Sequence, residues 1–311
     1  MLLKEKILIW RIKTKPLPLP LNTKNNCYRL PIIMSKIIFS ILLLLSVVTV
    51  NAQPKVTIKE KSLPIFEKII VADMLKVTVV RGKENSIKVT ADDDGHKSLV
   101  IKVKAGVLSV YQNGRAQLNF TPGPANIHKA IIDQEIVITT AQPIERITIS
   151  GNAFVKYSDP NTLKSFGLRA DDSSDFEGTI SCETLSAHLT KNSGADISGK
   201  IQKLKIVADS SVARIYNVTS DVSDITLTNK SRLNATGKTG VFMLNVSGES
   251  RFEGIGYESR DAKVDASGRS DAFFKATTTL VLNAKERSHI VCTGLPKVTQ
   301  NVTSDCKIKI R

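Results

Sequence analysis

Carboxylates recur in the second half of the chain at distances that could bring them together. The recurring aspartates are Asp171, Asp172, Asp175, Asp196, Asp209 and Asp271. If successive segments stack, neighbouring carboxylates approach within about 5 Å, where like charges raise a carboxyl pKa and create an acid and base pair. That chemistry cleaves glycans, so a β-helical polysaccharide lyase or hydrolase is one hypothesis. Aspartate is also common in solvated turns, and the sequence favours this simpler interpretation.

Other residue patterns that could carry chemistry fail on their spacing. In a twelve-residue calcium loop with Gly95 at position six, the first and last residues would be Thr90 and Ile101, where carboxylates are required. Cys182 has only His188 nearby, and six residues along a strand separate two side chains by about 20 Å. We therefore predict no catalytic residue, no metal site and no cofactor.

A surface that binds sugars or proteins needs exposed aromatic and polar side chains. The surface-binding candidates are Tyr157, Tyr216, Tyr257, Arg214, Arg232 and Arg251. We interpret the three tyrosines as exposed platforms, and the three arginines occupy outward positions in the repeats described next. We expect the single tryptophan, Trp10, to be absent from the mature protein, which weakens the hypothesis of a sugar-cleaving groove.

These candidates lie in a region, residues 147–311, that repeats a triplet of a small, a polar and usually an apolar residue. The triplets begin at Ala153, Ser174, Ala195, Ala213, Ser231, Ser250, Ser270, Ser288 and Ser304, with spacings of 16 to 21 residues. A unit this short cannot bury its own apolar face, so stacked copies must supply one another's core. The sequence therefore predicts a solenoid.

Two apolar columns flank the turn of each repeat, one running from Ile147 to Val298 and the other from Val155 to Cys306. Because side chains alternate along a strand, both columns should stack in the interior. About 19 residues at about 3.3 Å each give a coil perimeter near 60 Å. Parallel crossovers favour a right-handed path. We predict an all-β, right-handed parallel β-helix of about nine short coils, almost without helices.

The mature chain is expected to form one continuous domain with two parts. Residues 53–145 contain short strands with a two-residue period and should cap one end of the solenoid. Residues 146–311 contain the repeats. At the far end, the segment from Lys307 to Arg311 alternates charged residues with isoleucine, as expected of an edge that is guarded against pairing with another chain.

The N-terminal residues have the character of a targeting segment. Residues 34–52 combine a charged start, an apolar run and a small-residue site before Gln53, which is typical of a secretory signal peptide. The apolar run is shorter than the roughly 20 residues of a membrane-spanning helix. We interpret residues 1–33 as a disordered extension upstream of the true start at Met34. The predicted location is periplasmic, outer-surface or secreted, without a stable transmembrane anchor.

The distribution of charge bears on whether the chain binds nucleic acid, and the positions of the cysteines bear on whether it forms disulfides. Residues 1–52 hold eight Lys or Arg and one Glu, so removing them lowers the net charge from +15 to +15 − 7 = +8. The remaining cations are scattered instead of forming a stripe with aromatics, so no nucleic acid partner is predicted. By the repeat alignment, the Cα atoms of Cys292 and Cys306 would be roughly 8 Å apart, beyond disulfide range. Together with Cys182 they are predicted to be free thiols.

Three segments resemble a known family. They are FEKIIVADMLKVTVVRG at residues 66–82, AGVLSVY at residues 105–111, and Ser-Gly turns at Ser150, Ser247 and Ser267. In these the chain is similar to the head GIN domain family of putative auto-transporter adhesins, exported proteins common in Bacteroidetes-type bacteria. The resemblance implies a β-helical, non-catalytic, adhesive protein of the surface or periplasm. Our first hypothesis is accordingly a solenoid that binds a glycan, an envelope component or a partner protein, and a passive envelope component is a further alternative.

Overall fold

The computed structural model describes residues 55–113 and 134–311, which form eighteen strands and one short helix. In chain order these are β1 (Thr57–Ser62), β2 (Lys68–Val71), β3 (Lys76–Arg81), β4 (Ser86–Ala91), α1 (Asp93–Ser98), β5 (Leu99–Lys104), β6 (Val107–Gln112), β7 (Glu135–Thr140), β8 (Arg146–Ile149), β9 (Phe154–Ala170), β10 (Asp175–Leu189), β11 (Gly194–Asp209), β12 (Val212–Thr228), β13 (Arg232–Val246), β14 (Arg251–Ala266), β15 (Asp271–Ala284), β16 (His289–Thr293), β17 (Lys297–Val302) and β18 (Lys307–Ile310).

The long strands stack on one another as the coils of a solenoid. Each strand from β10 to β14 pairs in parallel with the long strand before it and the long strand after it. Their residues alternate between buried and exposed, because inward side chains fill the core and outward ones face solvent. The stack has about nine turns. The predicted parallel β-solenoid is confirmed.

The solenoid begins earlier than residue 146. Strands β2 and β3 pair in parallel with β8 and β9 on one side, and with β6 and β7 on the other. Three pairs of strands at this end are antiparallel instead. Strand β4 pairs with β7, β1 pairs with β4, and β5 pairs with β6. The N-terminal strands therefore include coils of their own, and the antiparallel strands cover the end.

A small residue points into the core at a corner of each coil. Seven serines occupy this position and are almost completely buried: Ser174, Ser193, Ser211, Ser231, Ser250, Ser270 and Ser288. The hydroxyl of Ser193 donates to the carbonyl oxygen of Ala170 at 3.0 Å, and that of Ser231 to the carbonyl oxygen of Ala208 at 2.9 Å. These carbonyls lie near the end of the strand of the preceding coil, so Ser193 and Ser231 each tie one coil to the one before, as Ser174 and Ser270 also do. The hydroxyls of Ser211 and Ser288 instead donate to carbonyls of their own turn.

Left-handed backbone precedes these serines. Asn229 and Lys230, for example, have φ of 53° and 70°. The backbone N–H of Lys230 then donates to the carbonyl oxygen of Gly248 in the next coil at 2.8 Å. Asparagine, glycine and other turn residues tolerate this conformation best, which explains why they recur between the two apolar columns.

Three of the predicted triplets are out of phase with the structure. Strand pairing aligns Ser193, Ser211 and Cys306 with the buried serines, instead of Ala195, Ala213 and Ser304. The reason is that a shift of two residues leaves every side chain on the same face, so the apolar pattern cannot detect it. The apolar columns are accordingly buried as predicted, except for the half-buried terminal members Val298 and Cys306.

The Asp-rich segment before β5 begins a helix. Asp92 is the N-cap of α1, and its Oδ1 accepts a hydrogen bond from the backbone N–H of Gly95 at 2.7 Å. Aspartate favours this position because its carboxylate accepts hydrogen bonds from the free backbone N–H groups of the first helical turn. This six-residue helix is the one helix in the part of the chain that the structure describes.

The far end of the solenoid is formed by β17 and β18. Among the described strands, β17 pairs only with β15, and β18 only with β16. The inward side chains of Ile308 and Ile310 are partly buried, while Lys307 and Lys309 are exposed. The predicted edge strand is thus present, with its lysines directed outward.

Several predictions concern segments outside the described residues. These are the signal peptide at residues 34–52, the extension at residues 1–33, and the loop around Pro122, Gly123 and Pro124. Within residues 55–113 and 134–311, no helix is long and apolar enough to cross a membrane.

Replacing a buried corner serine should destabilise the coil stack. Ser231→Ala removes the acceptor of the Ser211 backbone N–H and the donor to the carbonyl of Ala208. Because buried groups are left unpaired, we expect the free energy of unfolding to fall by about 1–3 kcal/mol in a urea titration followed by circular dichroism. Ser158→Ala, at an exposed strand position, is the matched control and should change it by less than about 0.5 kcal/mol. Equal effects would contradict a role for the corner.

Removing charge from the open edge should promote association. In the double variant Lys307→Thr and Lys309→Thr, β18 keeps its strand propensity and loses its repulsive side chains. We expect oligomers by light scattering where the unmodified protein gives smaller particles. Lys200→Thr with Lys238→Thr removes the same charge from central coils whose strand edges are already paired. If that control associates equally, the effect comes from net charge and the edge is not responsible.

Candidate functional site

Outward side chains that follow the corner form two parallel rows along the solenoid. Strand pairing sets the first row as Asp175, Gly194, Val212, Arg232, Arg251, Asp271, His289 and Lys307. The second row, two residues further along each strand, is Glu177, Asp196, Arg214, Asn234, Glu253, Phe273, Val291 and Lys309. The three candidate arginines lie in these rows on β12, β13 and β14.

A groove of about 440 Å³ crosses these rows between β12 and β15. Its exposed apolar side chains are Tyr216, which is 41% exposed, and Ile255, which is 51% exposed. Phe273 lies beside them, half-buried. Arg251 and Glu253 also line the groove. We call it the tyrosine groove.

Arg251 is held in the tyrosine groove from three directions. Its Nε donates to Glu253 Oε1 at 2.5 Å, and its Nη1 lies 3.5 Å from Asp271 Oδ2. The guanidinium carbon also lies 4.8 Å from the centre of the Phe273 ring, a cation–π contact. His289 closes the cluster, with Nδ1 3.4 Å from Asp271 Oδ1. These contacts fix the arginine before any ligand arrives.

The other two candidate arginines differ in their partners. Arg214 binds both oxygens of Asp196, with its Nε and Nη2 each at 2.6 Å. Arg232 makes no ion pair within residues 55–113 and 134–311. Arg232 is therefore the arginine of this surface that remains available to a ligand.

The prediction that Tyr157 and Tyr257 are exposed is wrong, since each is only 1% exposed. The Tyr157 ring stacks on Phe166 with centroids 5.1 Å apart. Burial, followed by the negative charge of Asp159, raises the pKa of Tyr157 far above its usual value. The hydroxyl of Tyr257 lies 2.6 Å from Ser223 Oγ in the core.

The two tyrosines are inward for different reasons. Tyr157 lies two residues after the inward Val155, so simple alternation directs it into the core. Tyr257 lies five residues after the inward Phe252, and alternation alone would direct it outward. A β-bulge between Gly254 and Glu258 reverses the alternation. Of the three candidate tyrosines, only Tyr216 can meet a ligand.

The recurring aspartates do not assemble into a shielded pair. Asp171 and Asp172 lie within 3.4 Å and 3.1 Å of Lys191 Nζ, and Asp209 accepts a hydrogen bond from Asn229 Nδ2 at 2.6 Å. The pKa of Asp175 is raised, first by partial loss of solvent and then by the charge of Asp196. Asp175 is nevertheless exposed on the outer face. These aspartates are therefore exposed or half-buried residues of turns and outer strand faces, as the simpler interpretation of the sequence expected.

Sequence reasoning missed Ile255 and Phe273. Phe273 follows the inward Ala272, so alternation would have placed it outward, next to Arg251 in the preceding coil. Ile255 is three residues after the inward Phe252, so alternation would also have placed it outward, just before the phase reversal in β14. Within the described residues, no group of three or more histidine, cysteine or acidic side chains could hold a metal ion.

Two overlapping parts of the chain, residues 65–228 and 210–296, match the family described as putative auto-transporter adhesin, head GIN domain. Together they cover more than half of the 311 residues. The chain belongs to this family. A comparison with curated proteins gave no match.

Solved structures show that the head GIN fold recurs at low sequence identity. A putative adhesin from Parabacteroides distasonis superposes with a TM-score of 0.63 at 18% identity, covering 83% of this chain and 98% of its own. A putative adhesin from Parabacteroides merdae superposes with a TM-score of 0.60 at 15% identity, covering 83% of this chain and 96% of its own. A putative lipid binding protein from Parabacteroides distasonis superposes with a TM-score of 0.56 at 15% identity, covering 83% of this chain and 97% of its own. At these identities the likeness establishes the fold.

The three cysteines of the described residues are free thiols, as predicted. Cys292 is paired in register with Ile310, so Cys306 lies too far along the next coil to reach it. Burial raises the pKa of the Cys182 thiol to about 11 and also raises that of Cys292. Cys306, in contrast, is partly exposed.

These environments predict selective labelling with iodoacetamide at pH 8. At a pKa of about 11, roughly one Cys182 in a thousand is the reactive thiolate at that pH, and the folded core also blocks access. We expect peptide mass spectrometry to find Cys306 modified first and Cys182 and Cys292 modified only after unfolding in urea. Equal labelling of the three cysteines in the folded protein would contradict the buried positions.

Proposed function

We propose that this protein is an exported, non-catalytic adhesin-type solenoid that binds a glycan in the tyrosine groove. One observation carries the proposal: Tyr216, Ile255 and Phe273 expose an apolar strip beside polar side chains that are already fixed in place. Binding sites commonly combine an apolar lining with a few well-placed polar groups. A sugar ring presents the complementary surfaces, with C–H groups on its faces and hydroxyls around its edge.

The charge of the groove supports a neutral or weakly charged sugar. Arg251 and Glu253 line the groove, and the outward rows beside it carry Arg214 and Arg232 as well as Asp196 and Asp271. Because Arg251 is ion-paired with Glu253, and Arg214 with Asp196, the surface offers hydrogen bonds without a strong net charge.

Membership of the adhesin family supports an exported protein with a binding role. The predicted signal peptide at residues 34–52 agrees with export. We infer a location in the periplasm, on the outer surface or outside the cell, with a glycan or an envelope protein as the partner. A polysaccharide lyase or hydrolase is the less favoured function, because the turn aspartates lie in solvent.

The proposal is tested by glycan binding to the protein and to groove variants. We expect a glycan array to give at least one neutral glycan as a ligand, and Tyr216→Ala with Ile255→Ser to weaken it by about tenfold or more in calorimetry, because truncating two contact side chains each costs about 1 kcal/mol. Tyr111→Ala, a tyrosine at the opposite end of the chain's solenoid region, is the matched control and should bind normally.

Specific results would contradict the proposed glycan-binding function. No glycan ligand on the array, or equal loss in the Tyr111→Ala control, would contradict the tyrosine groove as a glycan site. Shortened glycan after incubation, abolished in Asp175→Asn, would instead demonstrate the hydrolase or lyase function.

A further inference from the structure

A second concave surface lies on the strands that precede the corner, away from the tyrosine groove. Two adjoining hollows of about 480 Å³ and 270 Å³ share Arg146, Gly167 and Ser186 in their linings. Arg169 and His188 also line the larger hollow. We call this surface the basic bay, and we propose that it binds an acidic sugar residue of a polysaccharide, a uronate or a sulfated sugar.

Strand register explains why the bay is concave. Lys68, Arg146, Gly167, Ser186 and Lys205 stand directly beside one another on five successive strands. Neighbouring strands are about 4.8 Å apart, so the backbones of Arg146 and Lys205 are about 14 Å apart. The two residues between them, Gly167 and Ser186, have only a hydrogen atom and a hydroxymethyl group as side chains. The Arg146 side chain extends along Gly167, and Lys205 lies on the far side of Ser186, so two long cationic side chains border a low floor.

Two more basic residues close the bay on the side of the corner. Arg169 and His188 are partners in adjacent strands, two residues further along than Gly167 and Ser186. Both are exposed, as are Arg146 and Lys205. On the opposite side Ser165 and Thr184 add hydroxyl groups to the smaller hollow. The bay thus presents hydrogen-bond donors from several directions.

Gly167 indicates that the floor is kept low for a ligand. Its φ is not in the left-handed region, so backbone conformation does not require glycine there. A Cβ at this position would lie 3.4 Å from Arg146 Nε, an ordinary contact. Alanine would consequently fit, and it would also favour the strand. Glycine inside a strand often marks a place of close approach. At Gly167 it leaves the strand low beside the Arg146 guanidinium, so a ligand that binds this arginine can reach the backbone.

The cations of the bay have no carboxylate partner of their own. Within the part of the chain that the structure describes, neither Arg146, Arg169 nor Lys205 takes part in an ion pair. Glu145 is the one acidic residue in the linings, and it stands at the edge of the smaller hollow. Arginine with a free planar guanidinium is well suited to bind carboxylate or sulfate through two parallel hydrogen bonds.

The shape and the lining favour a sugar over other polyanions. The bay lacks an exposed aromatic ring in its linings, whereas single-stranded nucleic acid needs such rings for base stacking. The two apolar residues of the linings, Leu168 and Phe166, are buried, so nothing in the bay can insert into a bilayer. Hydroxyl groups beside cations match an acidic sugar, which has both hydroxyls and a charge.

The decisive experiment measures fluorescence polarisation with labelled oligogalacturonate and with a sulfated dextran oligosaccharide, on the protein and on three variants. Arg146→Gln with Arg169→Gln should weaken binding of at least one of them by about tenfold or more. Gly167→Ala should also weaken it while leaving the melting temperature unchanged or higher. Arg269→Gln with Arg287→Gln removes the same charge from the corners of later coils, and it should change affinity by less than about twofold.

Neutral and unrelated ligands complete the test. Methyl-esterified oligogalacturonate and unmodified dextran should bind at least about tenfold more weakly than their acidic counterparts, because only the charge differs. The proposal is overturned if neither acidic sugar binds, if the charge makes no difference, or if the control variant loses as much affinity as the bay variants. Tighter bay-dependent binding of single-stranded DNA or phosphatidylglycerol vesicles would likewise overturn it. The proposal is independent of the tyrosine groove, whose variants should bind acidic sugars normally.

Discussion

The buried serine hydroxyls at the corners, which pair backbone groups of a neighbouring coil or of their own turn, are the constraint on which the solenoid depends. At the corner, left-handed residues turn the chain and leave backbone groups that the regular strand ladder cannot pair. A serine is small enough to enter the core there and supplies the missing partner, as Ser231 does for Ala208 and Ser211. A small residue recurs at the corner of successive coils, with Ala153 and Cys306 in place of serine at the two ends of the series. The repeat therefore stays at about 19 residues, and the direction of a side chain follows from its count along the strand.

The functional surfaces arise where that regularity is broken or left empty. The tyrosine groove lies over three register shifts, between Ile215 and Val218, between Asn234 and Thr236, and between Gly254 and Glu258. Coils that differ in length by one or two residues absorb the difference there, and the bulge in β14 turns Tyr257 inward while Ile255 keeps its outward position. The basic bay has the opposite origin, since its coils are in regular register and short residues form the floor. The apolar strip of the tyrosine groove thus lies on irregularly paired strands, and the aligned cations of the basic bay lie on regularly paired strands.

The sequence was sufficient for the fold because a solenoid repeats one local pattern. Alternation predicted the two buried columns, and it would also have placed Tyr157 inward had the count from Val155 been applied. Alternation could not decide that Ser193 and Ser211 stand at the corners, since a two-residue shift leaves every side chain on the same face of its strand. Nor could it find the basic bay. Arg146 and Arg169 are 23 residues apart in the chain, and their proximity depends on register that apolar periodicity does not specify. The N-terminal coils escaped prediction because β2 and β3 lie between strands that follow them in sequence.

The separation of inward from outward positions also explains how this fold can serve different ligands. Core columns and corner serines determine stability, and they constrain only about every second residue. Outward residues are free to change, because a strand pairs through its backbone whatever its exposed side chain is. The Parabacteroides structures keep the fold at 15–18% identity, as this division of roles requires. Substitutions on an outer row alter charge or apolar exposure at fixed spacing of about 4.8 Å along the stack. Recognition by such a protein is therefore set by which side chains stand in register, and a neutral groove and a basic bay can coexist on one unchanged scaffold.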